Sequence, residues 1–468
     1  MTNGVGEHGP MVTERLRLAM RDTAEAVPAY STFPGVVHRL RRRRRRQWLG
    51  AGVGVLVLLG GLALPALPMA GGATPAAPGL VVSLPDRLGT PLWGGLSVED
   101  SPAGAASVVF GARNWWFDSS VGDLAVVGAR TDTYRTVSTG GDRAGEQAIL
   151  SPDGTRLASV GTVVDMLTGK SRGLPRPNGV VVTPAAWSPD GHDLAAIAYR
   201  TALQTQPDGA DWPTPTQAVL YVINTASGAQ QRIADLRTPY VYDGFTVAFA
   251  PDGAHLAYQS GDTVTVATVS GSTVSQFTVP DGTRLAGKGA WTSDGRGLTL
   301  VVQRRCCAPD PYPSRWQLQI VDTGTGVPLD RPQPPEVTGL VALRLLGWSP
   351  TGAAVAAAYY PEPDVTVTAF NVGAPAMLTD YAPVRTVAIL SLTTDTAPRI
   401  LLRAPDEVAL NIDVADNVIA GGVVREGHPP TGLGPYLTIG LTVLAAIVLA
   451  IVVVLVLLLR MFRRRSSA

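Results

Sequence analysis

The sequence predicts an all-β repeat domain carried between two hydrophobic helices. Three observations lead there: an uncharged stretch at 437–459, a shorter apolar stretch beginning at Trp48 behind an arginine run, and a Pro-Asp-Gly turn that recurs through residues 71–435.

The C-terminal stretch, LTIGLTVLAAIVLAIVVVLVLLL, is apolar on every face of a helix. At ~1.5 Å per residue it spans the ~30 Å hydrocarbon core of a bilayer. Arg460, Arg463, Arg464 and Arg465 follow it, and the positive-inside rule puts that end in the cytoplasm. The first stretch, Trp48 to Leu64, is Gly-rich and stops at Pro65 and Pro68, which end a helix. Arg41 to Arg46 precede it and hold the N-terminus inside. Two readings fit this segment. One is an uncleaved signal-anchor. The other is a cleaved export signal, because Arg45-Arg46-Gln47-Trp48-Leu49 is similar to a twin-arginine motif and small residues follow near Ala70. The long region before it favours the anchor.

The expected organisation is a cytoplasmic basic tail at 1–47 with a short amphipathic helix, a transmembrane helix at 48–70, an extracytoplasmic β domain at 71–435, a second transmembrane helix at 436–460 and a cytoplasmic tail at 461–468. That is a two-pass protein of the cell membrane with both termini inside and the lipid bilayer as a partner. The formal charge of +1 conceals an asymmetry. Without the fourteen terminal arginines and four acids of the tail, 24 basic face 33 acidic residues, a net −9. A body of that sign is a poor match for nucleic acid.

The repeat reads as a strand, a turn and a second strand. Its clear copies are Ser151-Pro152-Asp153-Gly154, Ser188-Pro189-Asp190-Gly191 and Ala250-Pro251-Asp252-Gly253. Thr292-Ser293-Asp294-Gly295 and Ser349-Pro350-Thr351-Gly352 are weaker, Ser101-Pro102-Ala103-Gly104 is degenerate, and Val414-Ala415-Asp416-Asn417 is a remnant. Proline presets φ near −65°, glycine tolerates the left-handed region and aspartate caps the turn through the backbone. Trp187, Phe249, Trp291 and Trp348 precede the turns, placed to pack between neighbouring sheets. No convincing amphipathic helix interrupts 71–435, so the region reads as all-β hairpins.

At these turns the chain resembles the WD40-like, TolB-type β-propeller repeats of bacterial envelope proteins, over roughly residues 80–427. The resemblance implies a β-propeller of about seven blades, six to eight fitting repeats of this length. The stretches 202–217, 304–315 and 360–384 read as insertions. After Asp406 two short strands, Val408–Val414 and Val418–Val424, would be completed by Leu80–Leu84, leaving no open edge.

Catalytic signatures are absent: the one Gly-x-Ser-x-Gly string, Gly169-Lys170-Ser171-Arg172-Gly173, has no helix after it and makes no nucleophile elbow, and no Walker loop, His-Glu-x-x-His or Cys-x-x-Cys occurs. We therefore expect no enzyme, no catalytic residue, no cofactor and no metal. His192 and His255 read as solvated turn residues, and Asp153, Asp190, Asp252 and Asp294, with Gly154, Gly191, Gly253 and Gly295, as turn caps rather than Ca²⁺ ligands. Cys306 and Cys307, the two cysteines, fit a vicinal disulfide, unpaired thiols or intermolecular bonds. Trp115-Trp116-Phe117 fits packing between blades or an exposed contact patch.

In the tail, Val12, Leu16, Ala19, Met20, Thr23 and Val27 recur at helical spacing, making Leu16 and Met20 the candidate partner face. A helix of this length is marginal alone. The layout is similar to the cytoplasmic heads of bacterial membrane proteins that pair with alternative sigma factors, while a disordered tail holding anionic lipid fits the same residues. Arginine outnumbers lysine 36 to two, which points to a high-G+C bacterial source. Three functions follow as expectations: an envelope scaffold whose propeller binds a protein or glycan; a transmembrane regulator whose tail binds a cytosolic protein such as a sigma factor; and a propeller hydrolase or lyase.

Overall fold

Six four-stranded antiparallel sheets follow one another along the chain. They are described here from a computed structural model, over residues 82–112, 123–176, 179–205, 211–237, 246–304, 315–362, 384–394, 396–431 and 434–465. The tail, the first hydrophobic stretch, Trp115-Trp116-Phe117 and the Cys306-Cys307 pair lie outside the described residues.

Blades 2 to 6 each run from an innermost strand outward in chain order. Their innermost strands are Ile149–Leu150, Val181–Trp187, Val247–Phe249, Thr283–Leu285 and Ala342–Trp348. Blade 1 differs. Its outer three strands are Ala106–Gly111, Asp123–Gly128 and Tyr134–Ser138, and its innermost strand, Asn411–Val414, comes from the far end of the domain. Val108 pairs Val414 and Gly111 pairs Asn411, antiparallel. The ring is thereby closed.

This is a six-bladed propeller rather than the seven-bladed one expected. The turn copies overcount because the first and last belong to one blade: 101–104 precedes the second strand of blade 1, and 414–417 follows its innermost strand. The 202–217 stretch, read as an insertion, lengthens one hairpin of blade 3. Asp193–Thr205 and Asp211–Asn224 pair as one long hairpin, from Asp193↔Asn224 to Thr205↔Asp211. The expected Val418–Val424 strand is instead a short helix, α1 (Asp416–Gly421), stopped by left-handed Gly422. Val418 and Ile419 are buried from it. Leu84 and Pro85 do not complete a blade; they pair in parallel with Val424 and Arg425 outside the six sheets.

The turns bind themselves in one repeated way. Asp153 Oδ1 accepts from the Ser151 hydroxyl at 2.7 Å and the Thr155 amide at 3.0 Å. Asp190 accepts from Ser188 at 2.6 Å and His192 N at 2.9 Å, and Asp294 from Thr292 at 2.6 Å and Arg296 N at 3.1 Å. Asp252 accepts from Ala254 N at 2.8 Å, and its other oxygen meets His255 Nδ1 at 2.7 Å. The Ser188 hydroxyl and His192 amide hold Asp190 below the usual carboxylate range. Gly154 adopts φ +69° and presses on the Ala106 carbonyl, so a side chain there is excluded twice over.

The tryptophans stitch blade to blade. Trp187 donates its indole N–H to Ile149 O of blade 2 at 3.2 Å, Trp291 to Ala248 O of blade 4 at 3.1 Å, and Trp348 to Gly289 O of blade 5 at 3.1 Å. Each indole thus buries apolar area and satisfies its one donor. Between blades 5, 1 and 2 charged groups take that place. Asp413 accepts from Leu150 N of blade 2 at 2.9 Å and from Lys288 Nζ at 3.2 Å. Lys288 also reaches Asp416 Oδ1 at 2.7 Å and Val414 O at 2.6 Å. Burial works against its ammonium, but Asp413 and Asp416 outweigh this and raise its pKa.

One helix, α2 (Pro435–Arg465), follows the propeller. Its segment Leu437–Arg460 is long and apolar enough to cross a membrane, with mean hydropathy 3.4 and no part of that window buried against the protein.

Breaking a buried pair by removing one partner leaves an uncompensated charge, at about 3–5 kcal/mol. Asp413→Ala should destabilise by that amount in urea unfolding. Asp413→Asn, which keeps an acceptor for Leu150 N, should cost less. An Asp413→Asn protein as stable as the native chain would show that the charge is irrelevant to closure.

Candidate functional site

Polar and charged side chains collect in two places, the propeller axis and the seam between blades 2 and 3. Arg344, 1% exposed on the innermost strand of blade 6, donates to Gly145 O and Ile412 O. Gly145, at φ +80°, lies so close to that guanidinium that a Cβ would overlap it. Asn411 Oδ1 accepts from Ala144 N at 2.7 Å. Asp142, buried in the same connection, accepts from the Ser159 hydroxyl at 2.5 Å and Val160 N at 2.9 Å. The axial groups point at the chain itself and serve closure.

The second place is open. Blade 2 is the smallest sheet, with strands of two, four, four and three residues, while blade 3 has strands of seven, thirteen, fourteen and seven. Of the four buried apolar clusters, the one between these blades is the smallest, eight residues centred on Trp187. So small a sheet cannot cover its neighbour's face, and a trough runs along the seam.

The trough has two lobes that meet at Pro175. The larger, about 470 Å³, carries Arg156, Lys170 and Arg172. The smaller, about 210 Å³, is floored by Val182, Val219 and Ile223 and flanked by Tyr199, Tyr221 and Arg200. Among the described residues four cations face one lining acid, Asp165, whose Oδ1 already accepts from Leu167 N at 2.9 Å and Thr168 N at 2.8 Å. Two guanidinium groups are held in place. Arg156 lies over the Trp187 ring at 5.1 Å and bonds Gly191 O and Thr225 Oγ1. Arg172 bonds Thr225 O at 3.0 Å and Ala226 O at 2.9 Å.

Gln217 stands at the edge of the smaller lobe with φ +52°, in a bulge where the Ala198–Val219 pairing shifts to Arg200–Thr216. A non-glycine residue in this region costs on the order of 1–3 kcal/mol, and such strain gathers at ligand clamps. Bulges likewise re-aim side chains near sites. The long hairpin leaves the blade body at this point.

The structure places the turn aspartates and glycines on separate blades and does not bring them together. Cys306, Cys307, Leu16 and Met20 lie outside the described residues. Among the described residues no group of three or more His, Cys, Asp or Glu could hold a metal ion. The trough residues were missed from the sequence, yet a signal was present. The turn spacing falls to 37 residues from Ser151 to Ser188 and rises to 62 from Ser188 to Ala250. Adjacent repeats so unequal must leave one sheet face uncovered.

No protein-family model matches the chain, and neither does any curated protein sequence. Solved structures of similar fold include TolB of Acinetobacter baumannii, at 15% identity over 67% of this chain and 66% of that one, TM-score 0.33. An oligogalacturonate lyase in complex with manganese matches at 15% identity over 60% and 70%, TM-score 0.36. Kuenenia stuttgartiensis hydrazine synthase matches at 16% over 55% and 65%, TM-score 0.31. The chain spans about two thirds of the length of each. The similarity is one of fold, and the sheet order itself identifies the propeller.

Burial pushes the Asp142 carboxyl up to about 7, against the two hydrogen bonds that oppose it. A folded-state value above the unfolded one favours the protonated native form. This group's contribution is fully present below about pH 4 and is lost as pH rises through about 7. The loss between pH 5 and 8 is about 2–3 kcal/mol by linkage. Asp142→Asn, which can still accept both bonds, should flatten that slope in urea unfolding at the two pH values. Parallel curves for the two proteins would refute it.

Proposed function

We propose that this protein is a membrane-anchored propeller scaffold that binds an extended anionic protein or glycan segment in the trough between blades 2 and 3. The observation that carries this reading is the trough's charge. Four cations line it in a body of net charge −9. The planar fork of arginine suits carboxylates, and the valine and tyrosine floor supplies the apolar area that pockets use for affinity.

The helix Leu437–Arg460, followed by arginines, supports anchoring in a membrane with the C-terminus inside. In this reading the chain passes twice, both termini are cytoplasmic and the propeller faces the envelope. The role is binding rather than catalysis. Among the described residues the trough offers no histidine, cysteine or glutamate, and its aspartate, Asp165, is a turn cap. The regulator reading depends on residues 1–47, and no described residue favours it.

Labelled oligoglutamate and oligoglucuronate are suitable probes for the full chain in detergent. Lys170→Glu/Arg172→Glu should weaken at least one of them ten-fold or more. Arg296→Glu/Arg399→Glu, on blades 5 and 6, should leave affinity within two-fold. Equal losses from both pairs would mean diffuse attraction, and the trough would not be the site.

A further inference from the structure

The segments that flank the propeller run side by side. Leu84 and Pro85 pair in parallel with Val424 and Arg425, and Gly427 N donates to Asp86 Oδ1 at 2.8 Å. Gly89 lies against Pro429, where any Cβ would overlap the ring. Further along, Gly434 N donates to Trp93 O at 2.9 Å. Gly434 presses so closely on the Gly94–Gly95 backbone that a side chain at 434 has no room, and Leu437 covers Gly94. The loop at 92–95 therefore grips the first turn of α2.

The apolar span begins at Leu437, three residues beyond Gly434, or ~5 Å along a helix. The headgroup layer on each side of the hydrocarbon core is roughly 5–8 Å thick. A loop bonded to Gly434 therefore lies at headgroup depth. Trp93 is the side chain this loop presents outward, 44% exposed. An indole, with an apolar body and one N–H donor, partitions to that layer.

We infer that the 92–95 loop is a membrane-interface collar: Trp93 rests in the headgroup layer, and the glycine contacts lock the propeller to α2 at a fixed height above the bilayer. The inference rests on the reading of α2 as a membrane span. The occupant is the lipid headgroup layer, because the loop is bonded to the residues that lead directly into the apolar helix.

The test uses the full chain with Cys306→Ser and Cys307→Ser, in nanodiscs of phosphatidylcholine and phosphatidylglycerol. Leu92→Cys, Val448→Cys or Asp190→Cys carries an environment-sensitive fluorophore, and the lipid is spin-labelled at the headgroup or at mid-chain. Position 92 should be quenched at least two-fold more by headgroup than by mid-chain label, 448 the reverse, and 190 by neither. Adding Trp93→Ser should at least halve the quenching at 92. Absence of mid-chain quenching at 448 would overturn the spanning reading itself. Quenching at 448 without quenching at 92 would overturn the collar alone. Unchanged quenching at 92 in Trp93→Ser would overturn the role of the indole.

Discussion

A ring of sheets has a seam where its first and last blades meet, and everything else here depends on how that seam is held. The strand Asn411–Val414 crosses it, entering blade 1 beside Ala106–Gly111. Exposed strand edges invite mispairing, and closure removes them. Tryptophans bind three of the other blade contacts, but at the seam Arg344 of blade 6 bonds Ile412 O of blade 1, and Asp413 of blade 1 pairs with Lys288 of blade 5, all from buried positions. Such groups are costly to bury unless paired and hydrogen-bonded.

Closure by the last strand decides where the chain leaves. Directly beyond Val414 come α1, the parallel pairing with Leu84–Pro85, and then α2. The outer strap reinforces the inner strand. Arg425 and His428 pair with Asp132 of blade 1, and Leu88 N donates to Arg403 O of blade 6. Blades 6 and 1 are thus tied at the axis and at the rim, next to α2. The trough sits away from this reinforced seam. There, two repeats of unequal size meet over the smallest apolar cluster, and the uncovered face is available to a ligand.

Much of the architecture was legible because it is local. Ser-Pro-Asp-Gly encodes a turn through its own backbone bonds, and a tryptophan before it announces a neighbour to pack against. What was illegible is what distance along the chain conceals. The blade count failed because 101–104 and 414–417 look like two repeats, although they are two parts of one. The strand expected at 418–424 reads correctly as β-prone valines and isoleucine, but burial of Val418 and Ile419 beneath the ring is met by a helix instead. Lys288 carries no local signature, since its partners lie 125 residues or more away. The trough was half-legible. The unequal spacing was visible, but the meeting of Lys170 and Arg172 with Thr225 and Ala226 across a seam is a product of the ring.

On the proposed reading, the seam between blades 2 and 3 is where this propeller meets its ligand. Hydrogen–deuterium exchange of the full chain, with and without a saturating anionic oligomer, tests it most directly. The backbone at 170–176 and 217–231 should gain protection while the axial connection at 141–148 stays unchanged. Protection at 141–148, with none along the seam, would place the ligand on the axis and contradict the account.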